Sequence, residues 1–94
     1  MQPSLTSPQP GIPAFVANVT YQLAGFDRLN FVSDIADTVP QDGSYIIRAL
    51  CFEGNGVQAN GLLTVQILDE PNLLGFLAQR LRSVQGMVSV QEIQ

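Results

Sequence analysis

The amino-acid sequence predicts an α+β fold in which two helices cover one face of a four-stranded antiparallel sheet, in the order β-α-β-β-α-β. Three observations carry this reading. A strand of period two gives way to a short helix through Asp27-Arg28-Leu29-Asn30-Phe31-Val32-Ser33-Asp34-Ile35. A second acidic, helix-starting junction stands at Asp69-Glu70-Pro71-Asn72-Leu73-Leu74. Between them, Glu53-Gly54-Asn55-Gly56 is a strong hairpin signal flanked by apolar runs. Two strand-to-helix switches around one hairpin make a split βαβ arrangement, with a helical period on one side of each junction and an alternating one on the other.

Each element follows from local pattern. Residues 1–13 carry Pro3, Pro8, Pro10 and Pro13 among Ser, Thr and Gln, the composition of an extended linker or tail, and the domain is expected over 14–94. Phe15, Ala17, Val19, Tyr21 and Leu23 alternate with Val16, Asn18, Thr20 and Gln22 as a half-buried first strand, and Gly25 loosens its exit. Asn30 is positioned to cap the first helix with its side chain. Phe31, Val32, Ile35, Ala36 and Val39 form one stripe, Pro40 ends the helix, and Asp42-Gly43 turns the chain.

The second strand is expected over 44–52 and the third over 62–68, with Asn60-Gly61 marking a longer hairpin or a bulge. Pro71 suits the first turn of the second helix. Leu73, Leu74, Leu77, Leu81 and Val84 line that helix's buried face, Phe76 borders it, and Gly86 suits a left-handed stop. Val88 and Val90 belong to a final strand, alternating with Ser89 and Gln91 and so expected on one face, and Ile93 closes it. Right-handed crossovers put the first and third strands at the centre and the second and fourth at the edges.

Strict alternation places Tyr45, Ile47, Ala49 and Cys51 on one face of the second strand and Ile46, Leu50 and Phe52 on the other, interrupted only by Arg48. Two helices cover one face of the sheet, so one apolar row of this edge strand lacks a partner. Self-association or docking through Ile46, Arg48, Leu50 and Phe52 is the functional expectation from physics alone.

Composition narrows the chemistry. The chain has 94 residues, 46% hydrophobic and only 13% charged, which permits one folded domain with a modest core. It has no His and no Lys, so the usual near-neutral acid/base group, Schiff-base chemistry and a Walker-type phosphate loop are all absent. No cofactor or metal is expected. Of the eight carboxylates, Asp27, Asp34, Asp69 and Glu70 sit where helices start, an ordinary place for negative charge. A carboxylate enzyme on this fold remains the reading from another class. A net charge of −4 with four dispersed Arg argues against autonomous nucleic-acid binding. No apolar run reaches the roughly 18 residues that span a bilayer. The single Cys51 and the Gln2-Pro3-Ser4 start, which lacks a signal-peptide pattern, point to a cytoplasmic setting.

The same residues resemble the ACT domain, a module of ferredoxin-like fold. Its first junction typically reads Asp-Arg-Pro-Gly-Leu-Leu-x-Asp/Glu-Ile; Asp27, Arg28, Asp34 and Ile35 match, and Phe31 and Val32 replace the leucines. Ile47-Arg48-Ala49-Leu50-Cys51-Phe52-Glu53, the Asn-Gly hairpin, Gly61-Leu62-Leu63-Thr64-Val65, Leu77, Leu81 and Val84-Gln85-Gly86-Met87-Val88-Ser89-Val90-Gln91-Glu92-Ile93 are similar to the C-terminal ACT module of RelA/SpoT-type (p)ppGpp synthetase/hydrolases.

The resemblance implies a non-catalytic regulatory module, tied to the stringent response, that forms homodimers through sheet edges. It also implies a catalytic domain on the same or a longer chain, and an amino-acid ligand held by Asp27, Arg28, Leu29, Asn30 and Phe31. Leu29 stands where the family has Pro, and Asn30 where it has Gly. The alternative is a purely structural interaction module of the same fold with no ligand.

Overall fold

The computed structural model describes residues 16–68 and 72–93. The expected tail over 1–13, Phe15 at the start of the first strand, and Asp69, Glu70 and Pro71 at the second junction lie outside the described residues. The elements run β1 (Ala17–Phe26), α1 (Phe31–Asp37), β2 (Tyr45–Gly54), β3 (Gln58–Ile67), α2 (Leu73–Arg82) and β4 (Met87–Ile93). The strands form one sheet in the order β2-β3-β1-β4, every neighbouring pair antiparallel. The expected order and the two central strands are therefore as read from the sequence.

Alternation builds the core. Val19, Tyr21 and Leu23 from β1 meet Leu63, Val65 and Ile67 from β3, and Phe31, Ile35, Val39, Leu77 and Leu81 from the helical side complete the same cluster. Both helices therefore cover one face of the sheet. Leu77 and Leu81 are fully buried, each stabilising the fold by about 2 kcal/mol from lost water contact. The Arg80 guanidinium Nε donates to the Thr38 carbonyl at 2.6 Å, tying α2 to the end of α1. Val32, expected in the buried stripe, is 39% exposed, because seven residues of helix present too narrow a face to bury it beside Phe31 and Ile35. The Asp42 turn forms as expected: the Ser44 hydroxyl and amide both donate to its carboxylate and hold that carboxyl below its ordinary range.

The other face is largely polar. Thr20 and Thr64 share a hydrogen bond of 2.8 Å across β1 and β3, and the Arg48 guanidinium donates to Gln66 Oε1 at 2.6 and 3.1 Å. Leu62 and Ile46, 40% and 38% exposed, interrupt this surface near the β2 edge.

Three strand expectations need correction. First, β2 and β3 reach Gly54 and Gln58, so Asn60-Gly61 is interior to β3 and no turn. Gly61 is opposite Phe52, and a Cβ there would overlap the Cys51 carbonyl oxygen and the Phe52 ring. The glycine makes room for an aromatic lying across it. Second, the register slips between Ile47 and Ala49, leaving Arg48 as an extra residue. This bulge breaks strict alternation. Leu50, opposite buried Leu63, and Phe52 turn toward the helices with Tyr45, whereas Ile46, opposite Gln66, faces the open side with Ala49 and Cys51. Ile46, Leu50 and Phe52 do not share a face. Third, β4 bulges against Ala24/Gly25, and Val88 is turned out to 68% exposure while Val90 packs on the core. β1 itself continues through Gly25 to Phe26, because β3 pairs with it to the last residue.

Candidate functional site

The end of β1 delivers the 27–31 loop between two other turns. The Phe26 N–H donates to the Gly86 carbonyl at 3.0 Å, and the Asp27 N–H to the Val57 carbonyl at 3.0 Å. The loop is thus stitched on one side to the turn before β4 and on the other to the β2–β3 hairpin. Gly86 takes a φ of 88°, the left-handed stop expected from sequence.

Asp27 and Arg28 are both bonded to other parts of the chain. Asp27 Oδ2 accepts from the Gly56 N–H at 2.7 Å. Arg28 Nε donates to the Gln85 carbonyl at 2.9 Å, Nη1 to the Leu29 carbonyl at 2.9 Å, and Nη2 to Asp34 Oδ2 at 2.8 Å. The Arg28–Asp34 pair is partly exposed, so it contributes about 1 kcal/mol or less through charge alone. The guanidinium carbon also sits 5.5 Å from the Phe31 ring centroid. Matching Asp27, Arg28, Asp34 and Ile35 to the family's junction therefore picks out residues that build the loop.

Phe31 is core. It is 2% exposed and meets Phe52 edge-on, with ring centroids 6.0 Å apart and planes at 86°. Its ring fills the space beside Gly25, where a Cβ would overlap it and lie 2.6 Å from the Gly86 carbonyl oxygen.

Leu29 and Asn30 form the outward tip, and Leu29 is 86% exposed. Asn30 stands at the N-cap position of α1, yet its side chain makes no capping bond. It adopts φ 67°, ψ 12°, the left-handed conformation that Asn tolerates better than other residues with a side chain. Its carbonyl accepts from the Asp34 N–H at 2.9 Å and the Ser33 hydroxyl at 3.3 Å. The expected side-chain cap is corrected to a backbone role: Asn30 turns the chain into α1 through its left-handed conformation, and its side chain makes no capping bond.

Sequence reasoning missed an exposed apolar group beside the loop. Phe26, Val57 and Val88 are 60%, 74% and 68% exposed, and with Gly25 and Gln58 they line an open cleft of about 250 Å³. Continuing the β1 alternation past Leu23 would have found Phe26, which follows Thr20, Gln22 and Ala24 onto the open face. The β4 bulge that exposes Val88 has no such signal.

The interface residues divide as the bulge dictates. Ile46 and Arg48 lie on the open side, while Leu50 and Phe52 are partly buried against the core. Cys51 is a free, exposed cysteine. Among the described residues no three His, Cys, Asp or Glu side chains gather to hold a metal ion, and no helix is long and apolar enough to cross a membrane.

No family model matches the sequence, and no curated protein matches it. Solved structures do. The crystal structure of the ACT domain from the GTP pyrophosphokinase of Chlorobium tepidum superposes with a TM-score of 0.71, covering 84% of this chain and 100% of that one at 18% identity. The solution NMR structure of the same domain gives 0.68, covering 84% and 88%, again at 18% identity. At this identity the likeness is one of fold, and the sheet order, the two helices on one face and these superpositions agree: the chain has the ferredoxin-like fold of an ACT domain.

Proposed function

We propose that this chain is a non-catalytic regulatory module of the ACT type, working by self-association through the outer edge of β2. The observation that carries the reading is that edge itself. β2 ends the sheet, its outer backbone groups have no strand partner among the described residues, and Ile46 and Ile47 beside them are 38% and 36% exposed. Such an edge is a template for a second strand. The bulge at Arg48 confines regular pairing to the stretches on either side of it. A homodimer is the partner proposed. A GTP pyrophosphokinase carries the fold in the structures compared, which supports, for this chain too, service to a catalytic domain on the same or a longer polypeptide in the stringent response. The exposed free Cys51 suits a reducing, cytoplasmic setting.

Light scattering over a concentration series tests the reading, with dimer expected at micromolar concentration. A monomer at high concentration rejects it.

A second reading, an interaction module without a small ligand, is favoured by one observation. Asp27 Oδ2 and the Arg28 guanidinium are bonded within the chain, and Phe31 is buried, so little of the loop's polar chemistry is left for a bound amino acid. Calorimetry across the amino acids separates the two: heat with any of them supports sensing by the 27–31 loop, and none supports the ligand-free module.

A further inference from the structure

The chain carries the dipeptide Asn-Gly twice, at Asn55-Gly56 and Asn60-Gly61, and the fold treats the two in opposite ways. Asn-Gly is chemically labile because glycine leaves the following backbone nitrogen open to attack on the asparagine side chain. Asn60 lies inside β3, paired on one side with Ala24 and on the other with Glu53. At its neighbour Gly61 there is no room even for a Cβ, which would overlap the Cys51 carbonyl oxygen and the Phe52 ring. Bringing the Gly61 nitrogen onto the Asn60 carboxamide would tear both ladders.

Asn55 stands at the exposed tip of the hairpin. Its Oδ1 accepts from the Val57 and Gln58 N–H groups at 2.9 and 2.8 Å, drawing electron density from the carboxamide carbon. Its Nδ2 has no partner among the described residues. Gly56 has a φ of 90° and open space where a side chain would stand. One contact opposes reaction: the Gly56 N–H, on the nitrogen that must attack, is held at 2.7 Å by the Asp27 carboxylate.

We propose that Asn55 is a site of spontaneous deamidation and that Asp27, by holding the Gly56 amide, sets its rate. The Gly56 nitrogen forms a bond to Asn55 Cγ, the Cγ–Nδ2 bond breaks, and ammonia leaves with the amide proton delivered through solvent. The resulting succinimide takes up water at either carbonyl to give aspartate or isoaspartate. The isoaspartate product adds a methylene to the hairpin backbone, which displaces the Gly56 N–H and the Val57 carbonyl from Asp27. A slow chemical change at the hairpin tip thus releases one of the two stitches on the 27–31 loop.

The test incubates the folded chain in warm, mildly alkaline buffer and maps peptides by mass spectrometry, with the urea-unfolded chain as reference. Asn55 is expected to convert many-fold faster than Asn60 in the folded chain, and the two at similar rates once unfolded. Asp27→Ala is expected to accelerate Asn55 several-fold while Asn60 stays slow. Equal rates at both positions in the folded protein overturn the site. An Asp27→Ala chain in which Asn55 is unchanged or slower, or in which both positions accelerate together, overturns the role given to Asp27.

Discussion

The Tyr21 hydroxyl, rising from the centre of the sheet, donates to the Leu74 carbonyl in the first turn of α2 at 3.0 Å. Tyr45 makes the companion bond to the Leu73 carbonyl at 2.6 Å. Two tyrosines from β1 and β2 thus anchor the start of a helix whose N-cap residue, Asn72, supplies no side-chain bond. The aromatic rings bury apolar area, and the hydroxyls fix where along the sheet the helix begins.

Replacing Tyr21 by Phe keeps the packing and removes the bond. The expected loss is about 1 kcal/mol at neutral pH, read from the urea midpoint. A Tyr21→Phe chain as stable as the parent would show that the bond adds nothing to what burial supplies.

Alkaline pH should invert that order. Burial pushes the Tyr21 hydroxyl up to about 12, with the Glu92 and Tyr45 charges adding to it and Arg82 opposing. An unfolded tyrosine ionises near 10. Because the folded value is the higher one, this contribution is whole below about pH 10. It falls by about 1.4 kcal/mol per pH unit as pH rises toward about 12. Phe at this position has nothing to ionise, so Tyr21→Phe should become the more stable chain at the top of that window. Burial raises Tyr45 as well, and that effect is present in both chains, so the comparison reads Tyr21 together with its repulsion from the Tyr45 charge.

Asn30 offers a test of backbone against capping. Serine caps a helix as well as asparagine does but pays more in the left-handed region. With φ at 67° and no side-chain cap, Asn30→Ser should cost about 1 kcal/mol and Asn30→Gly should be neutral or stabilising. A neutral serine together with a destabilising glycine would restore the side-chain cap. If the loop holds an amino acid, Asn30→Gly should also tighten it, which calorimetry would register.

At Gly61, alanine is expected to cost about 1 to 3 kcal/mol, since its methyl group meets the Cys51 carbonyl and the Phe52 ring. Alanine at Gly43, where nothing lies within 4 Å but φ is 90°, separates backbone strain from overlap. Equal losses at the two sites would leave the Phe52 contact without weight.

What was legible in the sequence was local. The 3.6 and 2.0 periods around Asp27–Ile35 and Ala17–Leu23 need only neighbouring residues to be read, and connection rules then order the strands. What was not legible depended on register. From Tyr45 to Phe52 the strand is apolar on both faces, so a one-residue slip at Arg48 leaves no mark in the pattern. Asn30 suits both a cap and a left-handed turn, and only the backbone angle decides between them. Asn60-Gly61 carries a turn signal because the demand for glycine there comes from Phe52, a cross-strand partner. In the candidate loop, sequence matching located Asp27, Arg28 and Phe31 but could not reveal that the first two are bonded within the chain and the third is buried.

The register slip makes Ile46 and Leu50 a discriminating pair. Ile46, 38% exposed opposite Gln66, lies on the open side of the edge strand, whereas Leu50 lies opposite fully buried Leu63 and packs on the core. Ile46→Asp should move the folding midpoint by no more than about 0.5 kcal/mol, as surface changes do. If β2 is the contact, it should weaken self-association at least tenfold, which is about 1.4 kcal/mol. Leu50→Asp should destabilise the fold by several kcal/mol at any protein concentration, because it drives a charge into apolar surroundings. Light scattering and urea midpoints on the same samples decide. Equal midpoint losses for the two variants would refute the face assignment, and an association constant unmoved by Ile46→Asp would take β2 out of the interface.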